Sequence, residues 1–242
     1  MFRRHYFIVI AALVLGACGA SPSAIDRVAA GAPAGSTTLS DVARICEESA
    51  TSDQPGVVEV DSELRESNRK VTIRGIGCIV HLNGSASVTL NNVELHSEGT
   101  LNIHDRGEEG EPTRVKIQRS MLSASPGAGV LIELNDPEDS LVMENSRIDA
   151  PRGLVLRVAG TRGGDNSGGS IRLNNTDLRS DGTGTGGIRV MASEHSGHIR
   201  LLESTADSPA TVLVLASDCE ARRRGEVMDC STEKVSDAIK GG

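Results

Sequence analysis

The sequence predicts an all-β protein, a right-handed parallel β-helix of about six coils with an N-terminal capping α-helix, and three observations carry that prediction. A ten-residue unit recurs without gaps along the chain, which is the signature of a repeat architecture. A third short strand recurs in register between copies of that unit. The composition fits a narrow, layered core: Phe2, Tyr6 and Phe7 are the aromatic residues of the chain, so everything after residue 7 must fill its interior with Val, Ile, Leu, Ala and Met.

At the N-terminus, Arg3, Arg4 and His5 precede an apolar run from Phe7 to Leu15. That run is far shorter than the roughly 20 residues a membrane-spanning helix needs and has the flanks of an export signal. Leu15-Gly16-Ala17-Cys18 follows, and this tetrapeptide resembles the lipobox of bacterial lipoproteins. The resemblance implies that residues 1–17 are a signal peptide, cleaved after lipidation of Cys18 with diacylglycerol. Gly19 stands where lipoproteins kept in the inner membrane commonly carry Asp, which favours the outer membrane of a two-membrane host. The expected location is therefore the cell envelope, with the membrane engaged through the lipid anchor. Removing Arg3 and Arg4 takes the formal net charge from −8 to −10. An acidic surface of that kind is unsuited to nucleic acid or to electrostatic adhesion on anionic lipid.

Residues 18–37, rich in Ala, Gly, Ser and Pro, read as a lipidated flexible tether. A cap follows over 38–54. Thr38-Leu-Ser-Asp41 has capping-box spacing, and Leu39, Val42, Ala43 and Cys46 fall at i, i+3, i+4 and i+7, which predicts a helix over 38–49 lying on the first coil. Four further cysteines, Cys46, Cys78, Cys219 and Cys230, suit two disulfides in an oxidising compartment, with three possible connectivities. Cys46–Cys78 and Cys219–Cys230 are favoured because each pair sits near one end of the chain. A zinc site from the same residues lacks any Cys-x-x-Cys spacing.

The β-helix is expected over 55–218. Val88-Thr-Leu-Asn-Asn-Val-Glu-Leu-His-Ser97 aligns with the segments beginning at Val115, Leu141 and Ile171. A weaker copy begins at Ile199, and a degenerate earlier one spans Val71–Cys78. Each unit alternates apolar and polar residues, breaks, and resumes with a second short strand. The breaks fall at Asn92, Asn145, Asn175 and Gly75, types that tolerate a left-handed backbone, whereas Arg119 and Glu203 do not share that preference. The third strand recurs at Val58, Val80, Leu101, Ile132, Leu156, Ile188 and Val212. Three short strands per repeat, joined by loops of variable length, suit a chain winding round an apolar shaft. Propeller blades would need four strands, and β-sandwiches would need hairpins. A C-terminal cap or tail is expected over 219–242.

These triplets resemble the pectate-lyase-like β-helix superfamily across roughly residues 55–216. In enzymes of that superfamily the substrate groove runs along the first sheet, to which the third strand is assigned here. Alternation then stacks its outward residues in columns. One column is expected to read Glu59, His81, Asn102, Glu133, Arg157, Arg189 and Leu213. Its neighbour is expected to read Asp61, Asn83, His104, Asn135, Ala159 and Met191, with Asp105 and Asp136 in a third position. Arg157 and Arg189 suit carboxylate recognition. Asp105 and Asp136 offer oxygen ligands for Ca²⁺, and His81 or His104 could transfer a proton. The ligand-binding candidates are thus His81, Asn102, His104, Glu133, Arg157 and Arg189. A plain solvated sheet face, with Glu133 and Arg157 paired across strands, is the bland reading of the same residues.

Other motifs carry less. Asn175-Thr176-Asp177 resembles a polygalacturonase tripeptide, but that family's remaining elements are missing. His195-x-x-His198 has no evident third metal ligand, and Arg222-Arg223-Arg224 reads as a solvated loop. The sequence thus favours a non-catalytic envelope module presenting a polar face to a polysaccharide or an envelope protein. The alternative is a polyuronate lyase or epimerase. The lack of aromatic rings for sugar stacking weighs against it, and fold resemblance does not decide between them.

Overall fold

The computed structural model describes residues 36–106, 111–158, 168–181, 187–193, 196–224 and 226–229. Alternation drives the architecture: apolar residues at every second position must leave water on one side, and successive rungs share that side. Seven strands stack in parallel to form the first sheet: β1 (Gly56–Val60), β3 (Gly77–Leu82), β5 (Thr100–Asp105), β8 (Val130–Leu134), β11 (Leu154–Val158), β14 (Ile188–Ala192) and β17 (Val212–Leu215). Each buries the inward set of its residues, as in the Val58, Val60 and Val80, Leu82 pairs of β1 and β3.

The rest of each coil forms a second, bent sheet. β2 (Glu63–Ile73) and β4 (Ser87–Ser97) run through the bend unbroken. Later coils break there into β6 (Arg114–Gln118) and β7 (Met121–Ala124), β9 (Ser140–Glu144) and β10 (Arg147–Asp149), β12 (Ser170–Asn174) and β13 (Asp177–Arg179), and β15 (His198–Leu202) and β16 (Thr205–Asp207). The two halves of β4 carry the two arms: β6, β9, β12 and β15 continue one, while β7, β10, β13 and β16 continue the other. All these pairings are parallel, so equivalent side chains stack from coil to coil.

The bend has a local cause. Asn68, Asn92, Arg119, Asn145, Asn175 and Glu203 all lie in the left-handed region, with φ between 46° and 56°. Asn enters that region with little strain, and Asn92 donates to the Asn68 side chain (2.8 Å), as Asn175 does to Asn145 (2.8 Å). Arg119 and Glu203 adopt the same conformation against their own preference because the rungs on either side already turn there. The first bend lies at Asn68, not at Gly75 as the sequence suggests: β2 pairs Leu64 with Val88 and Val71 with Leu95, so the earliest copy of the unit starts seven residues sooner than the sequence alignment places it. Gly75 (φ 96°) instead serves the next corner.

A buried hydroxyl follows the bend in four coils: Ser120, Ser146, Thr176 and Ser204. Each donates to the carbonyl two residues back, as Ser146 Oγ does to Glu144 O at 2.8 Å. Three also accept an N–H from the preceding coil: Val93 N to Ser120 Oγ (3.0 Å), Ser120 N to Ser146 Oγ (3.1 Å) and Thr176 N to Ser204 Oγ (3.2 Å). The column satisfies backbone groups that the interrupted ladder would otherwise strand in the interior.

The hydrophobic core is mainly aliphatic. One inward column reads Leu95, Leu122, Ile148, Leu178 and Ala206, all buried. Each buried Leu or Ile contributes about 1.5–3 kcal/mol. Where Ala206 replaces the larger residue, a small apolar void opens among Leu173, Leu178, Val190, Leu201 and Val212.

At the N-terminal end, α1 (Leu39–Ser49) starts in a complete capping box. The Asp41 N–H donates to Thr38 Oγ1 and the Thr38 N–H to Asp41 Oδ2, each at 3.2 Å. Leu39, Val42, Ala43 and Cys46 are its buried face, laid on β1, β2 and β3. Cys46 is disulfide-bonded to Cys78, as the sequence predicts. Gly56 permits the close approach, since a Cβ there would lie 2.1 Å from the Cys46 carbonyl oxygen. At the other end, β18 (Asp218–Arg223) adds one more parallel rung on β15, and β19 (Glu226–Asp229) turns back antiparallel on it. Arg222 therefore sits in a strand, its guanidinium 2.6 Å from Glu220, rather than in the solvated loop expected for residues 222–224. Cys219 is disulfide-bonded; its expected partner Cys230, the lipidation site Cys18 and residues 1–35 as a whole lie outside the described residues.

Candidate functional site

Outward side chains of the first sheet form two adjacent columns. Register pairs Glu59 with His81, His81 with His104, His104 with Glu133, Glu133 with Arg157, and Arg157 with Met191. Beside it run Val57, Ile79, Asn102, Leu131, Val155, Arg189 and Leu213. The sequence placed Asn102 and Arg189 in the polar column and His104 outside it; the structure exchanges them. The cause is a slip of two residues at β5 and again from β14 to β17, which moves Leu213 as well. A two-residue slip keeps every side chain on its expected face, so alternation alone cannot detect it. The result gathers His81, His104, Glu133 and Arg157 more tightly than expected and leaves Asn102 and Arg189 in a mainly apolar neighbour.

The polar column is bonded together at its N-terminal end. His81 Nδ1 lies 3.0 Å from Glu59 Oε1, and Arg106 Nη1 lies 3.1 Å from the same oxygen. Asn83 donates to Glu59 Oε2 (3.1 Å) and to Asp61 Oδ1 (2.8 Å). The His81 and His104 rings meet edge to face, centroids 5.9 Å apart. Burial lowers the pKa of His104, and the nearby His81 and Arg106 add to the effect against the opposing pull of Glu133 and Asp105. The shift favours the neutral imidazole, in which one ring nitrogen can accept.

Asp105 and Asp136 are not part of this face. Both are fully buried, because Asp105 shares the parity of Leu101 and Ile103, and Asp136 that of Ile132 and Leu134. They meet Asp139 inside the corner that joins the first sheet to the second. Asp139 accepts the Thr113 N–H (2.7 Å) and the Asp136 N–H (2.8 Å), while Thr113 Oγ1 donates to Asp105 Oδ1 (3.1 Å). Asp136 Oδ1 accepts the Glu138 N–H at 3.0 Å. Burial pushes the Asp139 carboxyl up to about 7, and the Asp105 and Asp136 charges push the same way. Buried carboxylates that accept from backbone and hydroxyl donors inside a corner do not make the open, outward Ca²⁺ site that the sequence suggested. Among the described residues no group of three or more His, Cys, Asp or Glu side chains could hold a metal ion.

An open furrow of about 590 Å³ follows the bend of the second sheet, with Asn68, Asn92, Arg119, Asn145 and Asn175 along its floor. Its amides bond to one another, and Arg119 donates to Asn91 Oδ1 (2.8 Å), so the furrow's polar groups serve the fold. Asn175 belongs to this series, at the ordinary bend of the repeat. His198 begins β15 and faces Asp218 at 3.1 Å, while His195 lies outside the described residues. The hydroxyl column and the Asp139 corner escaped sequence reasoning, although a Ser or Thr after each later bend was a visible signal for the first.

No family model, curated protein sequence or solved structure matches the chain.

Proposed function

We propose that this chain is a lipid-anchored module of the cell envelope, with the outer membrane favoured, whose first-sheet face receives a polysaccharide or protein partner without catalysis. The anchor reading rests on the Leu15-Gly16-Ala17-Cys18 motif, and kinship with pectate-lyase-like β-helices rests on the three-strand coil. The observation that carries the reading is the continuous column of Glu59, His81, His104, Glu133 and Arg157 beside an outward apolar column, on a rigid aliphatic shaft. A face that is half apolar and half charged, with its charges held by neighbours, is suited to specific docking. Aromatic platforms for sugar stacking are missing from residues 8–242, which tilts the partner toward protein.

The test compares wild type with His104→Ala and Arg157→Ala on a glycan array and in pull-downs of purified envelope components. Both variants are expected to lose capture at least about tenfold, as central interface residues do. Wild-type behaviour from both would reduce the face to an ordinary surface. The catalytic alternative has one favourable feature, the half-buried His104 beside Glu133, whose lowered pKa favours the neutral form a general base requires. Release of unsaturated uronate from polyuronates, with or without Ca²⁺, would establish the lyase, and no release removes it; an epimerase would show instead as a changed uronate composition of the polymer.

A further inference from the structure

The two outward columns of the first sheet share a symmetry that folding does not require. From β1 to β11 the apolar column reads Val57, Ile79, Asn102, Leu131, Val155, and the polar column reads Glu59, His81, His104, Glu133, Arg157. Reversed about β5, each becomes its own complement. Val57 meets Val155, Ile79 meets Leu131, and Asn102 meets itself. Glu59 meets Arg157, the largely buried His81, bonded to its own Glu59, lies opposite Glu133, and His104 meets itself. At or just before the starts of these strands stand Pro55, Gly77, Thr100, Gly129 and Gly153, which have short side chains or none.

We infer that the first-sheet face docks against the same face of a second copy of this chain, related by a twofold axis running along β5. Such an axis keeps each residue's position along its strand and reverses the order of rungs, which is the operation that produces the complement. An interface of this kind is isologous, so every favourable pair occurs twice. This rests on reading the face as a docking surface and names its partner.

The physical terms agree. Two packed sheet faces stand about 10 Å apart, a gap that Val, Ile and Leu side chains fill from both sides. Glu59 and Arg157 of opposite copies bring opposite charges together at both ends of the contact. At the centre, Asn102 and His104 each lie opposite their own copies, and the lowered pKa of His104 favours neutral rings there. Arg106, on the same rung, leans toward Glu59 (3.1 Å) rather than toward its own copy. Five strands about 4.8 Å apart, each contributing four or five residues, give roughly 350 Å² of flat sheet per copy. That extent belongs to weak, reversible association. Rungs β14 and β17, with Arg189 and Leu213, extend past the partner's first rung and take no part.

Sedimentation velocity of the purified full chain, from about 10 µM to about 1 mM, reads the equilibrium. Wild type is expected to pass from monomer to dimer across that range. Leu131→Glu and Arg157→Glu should weaken dimerisation at least about tenfold. Leu213→Glu, in the same apolar column but outside the matched rungs, should dimerise as wild type does. As an independent check, Asn102→Cys on the axis should cross-link to its own copy under mild oxidation, while Arg189→Cys should not exceed the wild-type background. A chain that stays monomeric overturns the inference, and so does a dimer that Leu213→Glu dissolves as readily as Leu131→Glu. A monomer whose His104→Ala variant still loses a captured glycan or protein would overturn self-docking alone and leave the proposed partner face standing.

Discussion

Replacing Cys46 and Cys78 together by alanine tests how the cap is held. The bond closes a loop of 32 residues between α1 and β3 and joins two side chains with 0% exposure. Releasing that closure returns chain entropy to the unfolded state, and for 32 residues the loss of stability is about 3.7 kcal/mol. Alanine is preferred to serine because a hydroxyl buried among Leu39, Val42 and Val58 would add a desolvation cost unrelated to the cross-link. The consequence should also be local. In a solenoid each rung touches mainly its neighbours, so loosening α1 frees β1 and β2 before it affects β12 or β15. Denaturant unfolding of wild type and variant measures the magnitude, and amide hydrogen exchange locates it. A loss below about 1 kcal/mol, or exchange rising evenly along the whole chain, would refute the view that this bond pins the first rung.

The Asp139 corner gives a pH prediction. A carboxyl whose folded pKa is raised from its ordinary value of 3.8 to about 7 favours the fold below pH 4 and loses that contribution as pH rises through 7. The expected loss between pH 4 and pH 8 is roughly 4 kcal/mol, and Asp139→Asn should flatten the slope measured by denaturant midpoints at each pH. Ser146→Ala removes a hydroxyl that donates to Glu144 O and accepts from Ser120 N, leaving the Ser120 N–H buried without its acceptor. The predicted cost is about 1–3 kcal/mol in equilibrium unfolding, with Ser123→Ala, half-buried on the same arm, as a milder comparison.

The fold was largely legible because the repeat declares itself: Val88–Ser97 and its copies carry both the alternation and the bend. Three features resisted, for separate reasons. The first bend was assigned to Gly75 because glycine is the more conspicuous turn residue, while Asn68 sits among Glu, Arg and Lys in a strand whose outward half is entirely polar. The columns at β5, β14 and β17 slipped by two residues because a period of two carries no information about a shift of two; the loop lengths that fix the register are settled only in three dimensions. Asp105 and Asp136, by contrast, could have been placed correctly: both follow inward residues at even spacing, and reading them as ligands set chemical type above parity. The polar face itself was half legible. Its membership was right for His81, Glu133 and Arg157, while its apolar companion went unnoticed because Val57, Ile79, Leu131 and Val155 look like core residues until the sheet shows which side they occupy.

The aliphatic shaft also makes the folded body spectroscopically dark. With no Trp in the chain, and Tyr6 and both Phe residues within the first seven positions, residues 8–242 add nothing to near-ultraviolet absorbance beyond their disulfides, and nothing to intrinsic fluorescence. Emission from a Trp-bearing partner would therefore stand against an empty background, so any change on mixing would report the partner's own surroundings. The same trait that deprives the β-helix of sugar-stacking rings makes it a silent reference for any partner mixed with it.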